Sequence, residues 1–199
     1  MGFSSLIDIL GAMVIGGIML LTLFRVNETA VANNYYYTND MLVQLNLVEV
    51  VRLIEHDFKK IGYCRDFTQI PIPSRAILRA DTSSISFLTD VDNNGIVDTL
   101  NYYLGTTVEL NMTANPRDRL LYRRVNSEIP RSANLGVIQF NIVYFNPLYD
   151  QLSTPVSEPG EIAYMQINVR VENINAYDEN YAGAFWRQIR LAARNLQNR

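Results

Sequence analysis

The sequence has only one cysteine and one histidine, Cys64 and His56. A single cysteine excludes an internal disulfide, and a catalytic Cys–His pair would have to join these two residues, which lie eight positions apart across a predicted helix end. His56 lies among charged residues and is interpreted as a solvated surface side chain. No G-x-S-x-G, glycine-rich phosphate loop or C-x-x-C motif occurs. These absences favour a protein that is not an enzyme.

The sequence also lacks an excess of positive charge, since its formal net charge is −3. No nucleic-acid partner is therefore expected. The composition is otherwise ordinary for a folded chain, at 48% hydrophobic and 19% charged residues. The 175 residues after Phe24 suffice for one domain with a hydrophobic core.

The most informative feature that is present is an almost wholly apolar run from Phe3 to Phe24. The 19 residues Leu6–Phe24 would measure roughly 29 Å as a helix, which is about the thickness of the hydrocarbon core of a bilayer. A secretory signal peptide would need basic residues before the run and a small-residue cleavage site after it, and the sequence has neither. The run predicts a transmembrane helix.

One carboxylate, Asp8, interrupts this run. A carboxylate costs about 2.5–3.5 kcal/mol at the centre of a spanning helix and less near its end. Two interpretations are open: Asp8 is retained for a partner, or it reaches the headgroups from one turn inside. Ala12 and Gly16 have the small-x-x-x-small spacing that lets two helices approach closely. Arg25, after the run, weakly indicates a cytoplasmic C-terminal side.

Helical periodicity continues after a polar, aromatic stretch at 33–40 that could be a loop or a weak helix. The apolar stripe of this second part ends at Gly62, a suitable helix stop. Its members are Leu47, Val51, Ile54, Phe58 and Ile61, backed by Met41, Leu45 and Val48. We therefore divide the chain into a transmembrane and assembly helix at 1–30, its amphipathic continuation at 31–62, and a globular domain at 63–199.

The globular domain shows the alternating pattern of β-strands, and Asn94-Gly95 indicates a hairpin. Together these features predict an α+β fold in which a long N-terminal helix packs its C-terminal half on an antiparallel sheet. The predicted strands are Arg75–Arg79, Ser83–Leu88, Thr99–Leu104, Leu120–Val125, Val137–Phe145, Ala163–Val171 and Phe185–Ala193.

The hairpin loop resembles the front of a D-x-[DN]-x-[DN]-G calcium loop, with a glycine at its sixth position. Two interpretations are open, a structural calcium site of low affinity and a plain turn rich in Asp and Asn. Position twelve is Asn101 and not the bidentate glutamate of an EF-hand, and the flanks are strands. The candidate Ca²⁺ ligands are Asp90, Asp92, Asn94, Ile96 through its carbonyl, and Asp98.

The N-terminal segment from Gly2 to Asp8, followed by an apolar helix, resembles the signal region of type IV pilins and type II secretion pseudopilins. Further segments resemble PilW- and GspJ-type minor pilins, namely 53–64, 89–104, 119–125 and 186–196. The acid differs from the family pattern, because it is an aspartate five residues after Phe3 where the family has a glutamate at four. The leader would be only Met1-Gly2, which suggests a start further upstream or insertion without standard processing.

The resemblance implies a pilin-like fold and a structural subunit of a pilus-like or pseudopilus filament, specifically a minor, tip-initiating one. It implies processing between Gly2 and Phe3 by a prepilin peptidase, with Phe3 as the mature N-terminus, and pairing of Asp8 with the N-terminal amine of a neighbour. The implied partners are membrane lipid before assembly, the inner-membrane assembly machinery, and other pilin-like subunits or further copies.

The resemblance further implies a single pass through the cytoplasmic membrane, with the C-terminal domain outside the cytoplasm and a periplasmic or cell-surface filament after assembly. The rival hypothesis from the residues alone is a single-pass membrane protein whose outer β domain binds a ligand or partner without polymerising.

Overall fold

The computed structural model describes residues 2–175 and 181–192. The chain divides into two compact units, Met1–Met41 and Leu42–Arg199. A single helix, α1, runs from Gly2 to Lys59. The polar, aromatic stretch at 33–40 is therefore helical. Its weak helix formers include Thr38, whose hydroxyl donates to the carbonyl of Asn34 at 2.8 Å and is thus satisfied within the helix.

The part of α1 in the second unit buries one stripe in the core, at Val43, Val50, Ile54 and Phe58, and Ile61 follows just after the helix. The predicted positions Leu47 and Val51 are half-buried. Met41, Leu45 and Val48 do not back this stripe, because they are 59%, 56% and 46% exposed. At 100° per residue these three positions lie on the side of the helix opposite to Ile54.

The described part of the second unit also contains one antiparallel sheet of seven strands in the order β1-β2-β3-β4-β5-β6-β7. The α+β prediction is confirmed, and each predicted strand overlaps an observed one, although Ala193 lies outside the described residues. The strands are β1 Ile77–Ala80, β2 Ser84–Thr89, β3 Asp98–Leu104, β4 Arg119–Val125, β5 Arg131–Phe145, β6 Tyr164–Glu172 and β7 Gly183–Ala192.

The core lies between this sheet and the buried stripe of α1. Phe58 of the helix contacts the rings of Phe87 on β2 and Tyr102 on β3, each edge-on with centroids 5.5 Å apart. Such pairs are worth about 0.5–1.5 kcal/mol beyond the area they bury. Burial alternates along β2, as expected for a strand with one face on the core.

Helix α1 ends at a junction that requires glycine. Gly62 has φ +73°, and the Cβ of Ala76 lies 3.3 Å from the position that a Gly62 side chain would occupy. Its N–H donates to the carbonyl of Leu88 at 2.9 Å. The predicted stop at Gly62 therefore corresponds to the residue that turns the chain from the helix towards the sheet.

A buried carboxylate fastens the last turn of α1 to the sheet. Asp57 is 2% exposed, and one of its oxygens accepts hydrogen bonds from Tyr102 Oη at 2.5 Å and Arg123 Nε at 2.6 Å. Burial by itself raises the pKa of Asp57, but the bonds from Arg123 and Tyr102 outweigh it and the pKa is lowered. Asp57 therefore stays ionised and joins α1 to β3 and β4.

We expect Asp57→Ala to lower the free energy of unfolding by about 3–5 kcal/mol, because it leaves the guanidinium of Arg123 partly buried without its anion. Urea unfolding of the full chain measures this difference. Glu55→Ala is the matched control on the same turn, because it removes only the exposed pair with Lys59 at 3.1 Å, which is worth about 0–1 kcal/mol. Equal effects of the two variants would contradict the fastening role of Asp57.

Candidate functional site

The segment Leu6–Phe24 of the first unit presents apolar side chains on every side of α1. Every large apolar side chain from Leu6 to Phe24 is between 54% and 70% exposed. The segment belongs to the one described helix that is long and apolar enough to cross a membrane. Contiguous apolar surface of this extent is typical of contact with lipid or with another protein. This surface is the first candidate site.

Only two side chains between Leu6 and Phe24 are polar, Asp8 and Thr22. The Thr22 hydroxyl is satisfied inside the helix, because it reaches the carbonyls of Ile18 at 3.0 Å and Met19 at 2.8 Å. Asp8 is exposed, and within the described part of the chain no hydrogen bond or ion pair engages its carboxylate. Asp8 is therefore the one polar side chain of this surface for which the described chain supplies no hydrogen-bond partner.

The small residues of the predicted assembly segment leave open space beside the helix. No atom outside the helix backbone lies within 4 Å of the Cβ position at Gly11, Gly16 or Gly17. Ala12 and Gly16 share a face because they are four residues apart. The described chain does not fill this space, so another helix can approach the backbone there. Gly2 and Phe3 begin α1, and their predicted processing stays a prediction.

The second candidate site is the loop between β2 and β3. Asp90 is fully buried, and its carboxylate accepts backbone N–H bonds from Gly95 at 2.9 Å, Asn94 at 3.0 Å and Arg65 at 3.2 Å. Burial acts to raise the pKa of Asp90, but these bonds reverse the effect and lower it. An ionised Asp90 thus organises the loop, which reverses direction through positive φ angles at Asn93 and Gly95.

The loop brings together three of the predicted calcium ligands. One carboxylate oxygen each from Asp90, Asp92 and Asp98 lies within 4.8 Å of the others. The Asn94 side chain is engaged within the loop, because its amide donates to Asp92 at 2.9 Å and its oxygen accepts from the N–H of Ile96 at 2.7 Å. The three carboxylates fit a hard divalent cation, whereas the bonds of Asn94 fit a self-supporting turn, and calcium stays a prediction.

The loop also rests on the segment that follows α1. Lys60 Nζ donates to the carbonyl of Val91 at 3.0 Å, and the Tyr63 hydroxyl donates to the Asn93 side chain at 2.8 Å. A cation held by the three carboxylates would therefore stabilise this junction together with the loop.

If calcium binds, Asp92→Ala removes one of three convergent carboxylates and abolishes the calcium-dependent rise in Tm. A site saturated to 100 times its Kd adds about 2.7 kcal/mol to the stability of the parent chain. Differential scanning calorimetry with and without millimolar Ca²⁺ measures the rise. Asp66→Ala, which removes a nearby exposed carboxylate, is the control and should keep it. A parent chain whose Tm does not respond to calcium would identify a plain turn.

A third polar cluster contains carboxylates that the sequence analysis did not single out. Glu172 of β6 is 2% exposed and accepts bonds from Arg117 Nε at 2.9 Å and Asn115 Nδ2 at 3.2 Å, with Arg170 at 3.2 Å from its other oxygen. Asp118 is fully buried, and neither of its oxygens has a hydrogen-bond partner in the described chain.

The pKa of Asp118 is higher than that of an ordinary aspartate. Burial is the main cause that raises its pKa from 3.8 to about 6, and the charge of Glu172 adds to it, while the charge of Arg117 acts in the opposite direction. A raised acid beside a second carboxylate is an arrangement used in acid–base catalysis. Here Glu172 is tied to two arginines, and Asp118 is not among the residues that line the cavity between α1 and the sheet.

Ionisation of Asp118 costs stability, so the contribution of Asp118 to the free energy of unfolding should fall as the pH rises from about 4 to 6. The folded state keeps a proton that the unfolded state has lost. Asp118→Asn removes the charge and should gain up to about 3 kcal/mol at pH 8, with the gain vanishing near pH 4. Urea unfolding across this range measures it, with the exposed Asp40→Asn as control. An unchanged pH dependence in Asp118→Asn would contradict the buried charge.

Comparison of the chain with protein-family models, with curated proteins and with solved structures finds no match.

Proposed function

We propose that this chain is a structural, non-enzymatic subunit of a type IV pilus-like or pseudopilus filament, in which it serves as a minor, tip-initiating subunit. The observation that carries the proposal is the exposed apolar surface of Leu6–Phe24 with its single unsatisfied carboxylate. The helix that bears this surface continues into a separately compact α+β unit. A helix with an all-round apolar surface and a folded unit behind it suits a subunit that is stored in lipid and then assembled.

Two environments can cover this surface in turn. Before assembly, the hydrocarbon core of the cytoplasmic membrane covers it, since the segment has the required length. In a filament, the same side chains would pack against the helices of neighbouring subunits, and burial away from water is worth about 25 cal/mol per Å². The open faces at Gly11, Gly16 and Gly17 support close packing with such helices.

Asp8 favours the movement of the helix from the membrane into the filament. A carboxylate near the end of a spanning helix is unfavourable in lipid, and a cationic partner on another subunit removes that penalty. The partner we propose is the N-terminal amine of a neighbouring subunit, set free when a prepilin peptidase cuts between Gly2 and Phe3. With the second unit outside the cytoplasm, assembly would draw the helix out of the membrane towards the growing filament. This orientation is opposite to the weak indication from Arg25.

Asp8→Ala should leave membrane insertion intact and abolish incorporation into filaments, because insertion depends on the apolar surface and incorporation on the charge pair. Membrane fractionation and immunoblotting of sheared filaments measure the two steps separately. Asp8→Glu should restore part of the incorporation, and Asp40→Ala, an exposed carboxylate further along the helix, should have no effect. Normal incorporation of Asp8→Ala would refute the pairing role.

The rival function is a permanent membrane anchor for a ligand-binding domain, and the cavity described in the next subsection favours it. Sequencing the N-terminus of chain extracted from membranes discriminates the two. A chain that begins at a methylated Phe3 indicates pilin processing, whereas one that retains Met1 favours the anchor or an atypical filament.

A further inference from the structure

The second unit contains a cavity of about 340 Å³ between α1 and the sheet. This volume lies at the lower end of the range of small-molecule sites, roughly 300–1,000 Å³. The helix contributes Glu49, Val50 and Leu53, and the strands contribute mainly apolar walls. The wall residues from the sheet are Tyr102, Leu121, Ala133, Leu135 and Val137, with Ser132 and two arginines.

The two arginines of the cavity face each other directly. Arg123 on β4 and Arg131 on β5 are partners in the strand register, and both line the cavity. Like charges directly opposite on neighbouring strands are unfavourable. The apolar cavity therefore has excess positive charge at its wall. An anion bound there would reduce the repulsion between the two arginines.

The charges nearby do not balance the pair. Asp57 pairs with Arg123 through Nε at 2.6 Å and balances the charge of that arginine, so the excess positive charge of the pair is that of Arg131. Arg131 is exposed, and no described residue forms an ion pair with it. Glu49, on the helix side of the cavity, is also exposed and makes no described ion pair with either arginine.

We propose that this cavity binds a small amphipathic carboxylate, with its apolar body against Val50, Leu121 and Val137 and its carboxylate between Arg123 and Arg131. The planar guanidinium presents paired N–H donors that match a carboxylate. The apolar walls select a hydrocarbon or aromatic body over a wholly polar anion. This binding would belong to the second unit and does not depend on filament assembly.

The test uses the full chain in lipid nanodiscs and a diazirine-bearing octanoate as a photoreactive probe. We expect the probe to label the peptide that spans residues 119–137 in a saturable manner, with unmodified octanoate competing for it. The methyl ester of the same probe, which lacks the charge, should label this peptide at least tenfold less. The apolar segment 6–24 should be labelled by both probes without saturation and provides an internal reference for partitioning into lipid.

Two variants separate the site from non-specific labelling. Arg131→Gln should weaken saturable labelling at least tenfold while the chain stays folded, because this arginine is exposed and makes no described ion pair. Ala133→Trp should block the cavity from a position on its rim. Arg79→Gln, an exposed arginine on β1, is the control and should label like the parent chain. Equal labelling by acid and ester, or undiminished labelling of both Arg131→Gln and Ala133→Trp, would overturn the proposal.

Discussion

The described structure of the second unit depends on one buried carboxylate. Asp57 stands on the last turn of α1 and holds Tyr102 of β3 and Arg123 of β4 through a single oxygen. Since Tyr102 also packs on Phe58, a hydrogen bond and an aromatic contact of the helix converge on one residue of β3, beside the ion pair with β4. This convergence fixes how far the helix lies along the sheet, which apolar contacts alone specify poorly because they are not directional. It also directs Arg123 towards the cavity.

Helix α1 has a different surface in each unit. The segment Leu6–Phe24 is exposed and apolar on every side, whereas the part from Val43 onward buries one stripe in the core. Its opposite side still carries apolar residues, among them Leu45 and Val48. A helix that belonged only to a water-soluble domain would be polar on that side. Continuous helical structure from Gly2 to Lys59 thus joins two surfaces suited to different surroundings.

Local sequence patterns predicted the helix and the strands, but they did not predict the polar contacts between them. Every described strand overlaps a predicted one, although burial alternates strictly along β2 and is intermediate throughout β4. The loop carboxylates at Asp90, Asp92 and Asp98 could be recognised because they are close in sequence. Asp57 falls among core positions of the helix, and that placement was a usable signal. The meeting of Asp118 with Glu172 carried no such signal, because only the strand register brings them near.

The order of the strands determines how this chain can fold during synthesis. Every described strand after β1 hydrogen-bonds to the strand made just before it, and the helix that they cover is made before all of them. The strand with which each new strand pairs has therefore already been synthesised. No strand has to wait for a later segment before it can pair. A sheet built in this way can grow on its helix as the polypeptide emerges, so the strands between β1 and the newest one are already paired on both sides and protected from mispairing.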